Sequence, residues 1–381
     1  MGESRARVWG ESRLIVLPDP RVWRTPPADS RLHQMAIASL AGDVSARAAL
    51  RLEMDALLDN AAADEVQALL RDAPSAESYR HLQQMLAALI NKPQRGEAVI
   101  ARLFAIPLVI VGGAKKPMQV PGTLPGIAVV TALLEQHGVL GAGRNFGLGN
   151  ALCTMETLDG LRPRLLQQWA AQLRMGGAPL ELTGNGFTVA AGREQVVLRF
   201  LAGASVAPAH VPSVTETGSN VGAWGIPFTK LLAQQLAQPG LDLLPIPRAP
   251  VALYLASDTG RAAQIELAFS LFLSNGVRQF RMAIGDPAVV LSAHRLDDGA
   301  SELRVSLSSA FDDSLLEGFR WPLYPPDDFV EINNKINALL EECRLNDTRV
   351  LTTVSTDLNA RGGRFLSARD ADQIAAASRV H

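Results

Sequence analysis

The chain has 381 residues, 48% of them apolar and 19% charged, which suits packed cores and excludes disorder along its whole length. Its formal net charge of −2 gives no overall field for nucleic acid or an anionic membrane, so a polyanion would need a local basic patch. Cys153 and Cys343 stand alone, without CxxC, CxxH or HxxxH spacing, which argues against a disulfide framework and a zinc site and favours a reducing cytosol. Lysine occurs only at Lys92, Lys115, Lys116, Lys230 and Lys335, so most of the 36 basic residues are arginine, a composition expected of a GC-rich bacterial genome.

Residues 1–30 mix Pro, Arg and Trp around one short apolar run, Leu14–Leu17, and read as an arm. They hold no secretory h-region, and Ala6 stands where a myristoylation signal wants Ser or Thr. From Leu32 to about Phe104 the pattern is helical. Val66, Leu69 and Leu70 mark one helix, and Tyr79, Leu82, Leu86, Leu89 and Ile90 form the stripe of another that Pro93 ends. Ile106–Gly113 is β-branched and stopped by two glycines, as in a strand buried on both faces. A helix follows with Ile127, Val130 and Leu134 on one side, and another with Leu165, Leu166, Trp169 and Leu173.

Leu180–Thr183, Phe187–Ala190 and Gln195–Leu201 predict an antiparallel meander whose first turn is Asn185-Gly186. An irregular segment from Ala202 to Gly225 precedes a helix over 228–238, and the proline-rich stretch Pro239–Pro250 predicts a boundary. Beyond it, Ile265–Leu273 has almost no polar face and predicts a central helix. Ala288–His294 and Glu302–Ser308 predict strands around Asp297-Asp298-Gly299. The helix after them carries Phe329, Ile332, Ile336, Leu339, Leu340 and Cys343 in one stripe, with Asp328 as its cap, and a strand over Val350–Val354 follows. The expected fold class is α+β (mixed α/β). It comprises an arm at 1–30, a helical region at 31–104, an α/β unit with antiparallel meander at 105–240, a C-terminal β-β-α-β unit at 241–356, and a polar tail at 357–381.

Gly143–Gly149 contains G-x-x-x-G-x-G and over these seven residues resembles the cofactor loop of short-chain dehydrogenases. That family also needs Tyr-x-x-x-Lys, and Tyr79, Tyr254 and Tyr324 have no Lys at the fourth position after them. The expectation is therefore a helix-to-strand connection whose glycines supply positive φ. Gly203-Ala204-Ser205-Val206-Ala207 resembles the nucleophile elbow of α/β-hydrolases, with Ala207 for the last glycine and Pro208 and Pro212 against the helix the elbow requires. The acidic pairs Asp297-Asp298, Asp312-Asp313, Asp327-Asp328 and Glu341-Glu342 read as turns, caps and solvated faces, because adjacent side chains diverge.

Lys115 and Lys116 follow glycines at a strand end, where backbone N–H groups and an ammonium can hold an anion. His210, Glu216, Ser219 and Asn220 are the polar residues that the long irregular segment could display beside them. Two functions follow as expectations. The first is a non-catalytic cytosolic binding or assembly protein without cofactor or metal, whose partner is another protein or a small anionic ligand. The second is an enzyme or sensor acting on a small anionic metabolite, phosphorylated ones included, at the loops near 112–122 and 202–225. No membrane insertion is expected, and the sequence carries no strong nucleic-acid signal.

Overall fold

The computed structural model describes residues 30–59, 63–90, 99–112, 117–140, 145–159, 163–176, 180–182, 184, 186–189, 195–208, 210–236, 241–283, 285, 287–296, 300–308, 316–324, 327–345 and 348–351. The fold is α+β, and the described residues form two compact units that part between Ala268 and Phe269. Among the described residues, no helix is long and apolar enough to cross a membrane.

The first unit opens with four helices, α1 (Arg31–Leu40), α2 (Val44–Asp59), α3 (Ala63–Arg71) and α4 (Ala76–Ile90). The stripes read from the sequence meet in one core, where Ala36, Leu50, Met54, Val66, Leu69, Leu82 and Leu86 are buried. The helical reading stops too late, because residues 99–104 already belong to a strand, β1 (Val99–Gly112). β2 (Met118–Val120), α5 (Ile127–Gln136), β3 (Asn145–Cys153), α6 (Met155–Asp159), α7 (Pro163–Arg174), β4 (Phe187–Val189) and β5 (Gln195–Pro208) follow. The unit continues with α8 (Val214–Thr217), α9 (Val221–Gln235), β6 (Leu241–Pro245), β7 (Val251–Ala252) and the start of α10 (Leu253–Ala283).

The main sheet is antiparallel in the order β3-β5-β1-β6, with β7 also on β1. Alternation along β1 sends Phe104, Ile106, Leu108 and Ile110 into a core with α5 and α9, and Ala101, Leu103 and Ala105 to the other face. Two expectations are corrected. Among the described residues, Leu180–Leu182 forms no strand beside Phe187–Val189, and β4 pairs instead with β2 (Val120 opposite Phe187). The glycine-rich stretch is not a loop from Asn145 onward but the edge strand β3. Gly147 and Gly149 there make room for Leu173 and Leu182 rather than supplying positive φ.

The second unit contains the rest of α10, then β8 (Ala288–Arg295), β9 (Ser301–Ser308), β10 (Leu316–Leu323), α11 (Phe329–Glu342) and β11 (Thr348–Leu351). Its sheet has the order β10-β9-β8-β11, with β11 parallel to β8. β10 is an addition to the expected β-β-α-β order; Gly318 and Pro322 interrupt the alternation by which a strand is recognised. One face of this sheet is apolar. Phe269 and Phe272 of α10 pack on Phe319, and Phe269 also meets Trp321 edge-on at 5.5 Å. α11 starts as the sequence implies. The Asp328 carboxylate accepts from Val330 N–H (3.0 Å) and Glu331 N–H (3.1 Å), and Phe329, Ile332, Ile336 and Leu340 are buried.

Candidate functional site

Polar side chains buried by a fold are either its internal cement or its chemistry, and partners and access tell them apart. On the second sheet the face opposite the aromatics carries Ser292, His294, Glu302, Arg304, Ser306 and Arg320, and all six are buried. Register places Arg304 between Ser292 and Arg320, and Glu302 beside His294. The Glu302 carboxylate accepts from Arg304 Nε–H and lies 3.4 Å from Arg320 Nε, so one carboxylate serves two guanidiniums. Burial lowers the pKa of Arg304, and Glu302 works against that by stabilising the charged form. Buried and paired in this way, the layer reads as an ion-pair core.

Three serine–histidine contacts invite a nucleophilic reading. Ser39 Oγ lies 2.8 Å from His81 Nε2 and Ser292 Oγ 2.7 Å from His294 Nε2, while Ser30 meets His33, whose Nε2 lies 3.0 Å from Leu69 O. Ser39 and Ser292 are buried, so neither hydroxyl can reach a substrate. Cys153 is packed in the core, and burial pushes its thiol up to about 11. Among the described residues no group of three His, Cys, Asp or Glu could hold a metal ion.

The sequence-chosen residues divide. Lys115 and Lys116 lie outside the described residues. The segment 202–225 is not irregular throughout. β5 runs on to Pro208 because its small residues Ala202, Gly203 and Ala204 fit against β1, and α9 already begins at Val221. His210 is exposed in the turn between them. Glu216 closes a capping box with Ser213, Ser219 Oγ donates to Glu216 O at 2.7 Å, and Asn220 is the exposed N-cap residue of α9. Trp224 is buried, its Nε1–H donating to Gly218 O at 2.8 Å. This turn has local uses for Glu216 and Ser219.

A hollow of about 480 Å³ lies elsewhere, at the C-terminal ends of α10 and α11 in the second unit. Among the described residues, Arg278, Arg281 and Arg344 line it with one carboxylate, Glu342, and Val277, Met282 and Cys343 supply apolar surface. Arg281 Nη2–H donates to Cys343 O at 3.1 Å, which ties the two helix ends together and places a cation where helix carbonyls need one. Arg278 and Arg344 form no side-chain hydrogen bond or ion pair with another described residue. Burial and the Glu342 carboxylate raise the pKa of Cys343, so its sulfur stays a thiol rather than a nucleophilic thiolate.

The backbone under Arg344 sets this hollow apart. α11 ends in a Schellman turn, with Leu345 N–H donating to Leu340 O (3.0 Å) and Arg344 N–H to Glu341 O (2.8 Å). The residue inside such a turn is left-handed, and Arg344 has φ 57°. α1 and α5 end in the same hydrogen-bonded turn but place Gly42 (φ 96°) and Gly138 (φ 70°) there. Arg344 is the one non-glycine residue with positive φ among the described residues. A side chain at that position costs about 1 kcal/mol relative to glycine.

No family model, no curated protein and no solved structure matches this chain.

Proposed function

We propose that the chain is a non-catalytic binding protein of the cytosol, and that it takes an anionic group of its ligand in the hollow between the ends of α10 and α11. The observation that carries this reading is Arg344. A turn serving only to end a helix would be more stable with glycine, as at Gly42 and Gly138, so the guanidinium is held over the hollow against a local cost. Arg278 beside it supplies a second planar fork of donors, suited to a carboxylate or phosphate. Burial of the Ser39 and Ser292 hydroxyls and the raised pKa of Cys343 favour binding over catalysis. Two free cysteines suit a reducing compartment. At residues 202–225, by contrast, Glu216 and Ser219 close their own turn, which weighs against a ligand there.

Calorimetric titration with citrate and with inorganic phosphate at low salt tests the reading. The wild-type chain should bind at least about tenfold more tightly than the Arg278→Ala/Arg344→Gly variant, equivalent to about 1.4 kcal/mol, and high salt should weaken it further. Equal affinity in the two proteins would sink the proposal.

A further inference from the structure

We infer that the anion taken by this hollow belongs to an acidic polypeptide segment of a partner protein, two carboxylates flanking an aliphatic or aromatic side chain; the inference rests on the binding function proposed above. Three features of the hollow favour such a segment over a compact metabolite. Its guanidinium rim, Arg278, Arg281 and Arg344, is exposed, whereas a metabolite pocket encloses most of its ligand. Met282 stands 74% exposed beside those charges, above the buried Val277. An exposed thioether gains nothing in water but adapts to an apolar partner, and arginine and methionine are each among the residues enriched in protein interfaces. Finally, Arg281 is anchored on the Cys343 carbonyl, which leaves Arg278 and Arg344 as two separately mounted cations against one carboxylate, Glu342. Two spaced carboxylates match that arrangement, and the apolar residue between them has Met282 and Val277 as its seat.

The test is selection of phage-displayed random dodecapeptides on the full chain at physiological salt, with the Arg344→Gly chain as counter-selection. That variant is expected to fold at least as well as the wild type, so lost binding will not be lost structure. Selected peptides should carry paired Asp or Glu around an apolar residue. They should bind the wild type at least tenfold more tightly than Arg344→Gly, and weaken on Met282→Ser and on conversion of their acids to amides. Peptides without acidic bias, or binding no tighter than citrate, would overturn the inference. So would capture of phosphatidylserine vesicles or polyuridylate, lost in the variant, without an acidic-peptide preference. If citrate and phosphate still distinguish the proteins, the anion site stands and the peptide claim alone falls; if no probe does, both fall.

Discussion

At the scale of single residues, Arg344 joins stability to function with opposite signs. Arg344→Gly removes a side chain from a left-handed position, so chemical denaturation should show the variant more stable by about 0.5 to 1 kcal/mol. A loss of stability would mean that the side chain serves the fold. Glu302 makes the reverse case. Glu302→Gln leaves the buried guanidiniums of Arg304 and Arg320 without their shared countercharge and should destabilise by about 3 to 5 kcal/mol, read from the urea midpoint of unfolding. Much of this residue scale escapes sequence reading. Alternation on β9 assigns Arg304 and Ser306 to the face opposite Leu303 and Val305, but it carries no sign that this second face is buried as well. Arg344 is faintly marked in the sequence, since the apolar stripe of α11 ends at Cys343 and the next position is arginine rather than glycine or asparagine.

Secondary-structure elements were legible where one periodicity ran unbroken. α11 shows its stripe and its Asp328 cap in plain sequence, and both are in place. Ile336 sits in the middle of that stripe and is buried, so Ile336→Ala should destabilise by about 2 to 5 kcal/mol in denaturant titration. A change under about half a kilocalorie would show the wrong face. Elements built on small residues were harder to read. β3 and the second half of β5 depend on glycine and alanine fitting under neighbouring side chains, a tertiary fact without local periodicity. In the N-terminal helices, burial and the nearby Arg47 guanidinium lower the pKa of His81 on α4. Its folded pKa lies below the unfolded 6.5, so its contribution to stability is present above that pH and is lost as pH falls through the folded value. Urea midpoints measured from about pH 7 to about pH 5 should fall, and His81→Gln should flatten the slope; an unchanged slope would refute the coupling.

For the whole molecule, composition and patterning were enough for the α+β class, because they record how much apolar surface must be buried and with what period. They could not disclose the hollow, which is made by the convergence of two helix ends some 60 residues apart. Lys115 and Lys116 stand out in the sequence because they follow glycines, whereas the hollow's charge stands on helix ends, where basic residues also serve the helix itself. The central claim is that this hollow is where the chain binds. Carbon-13 labelling of the methionine methyl groups tests it most directly, because Met282 lines the hollow and the chain has only eight methionines to assign. On titration with citrate, the Met282 methyl signal should move in wild-type protein and stay still in the Arg278→Ala/Arg344→Gly variant, with the other methionines unmoved in both. A shift confined to other methionines, or an equal Met282 shift in the variant, would contradict the account.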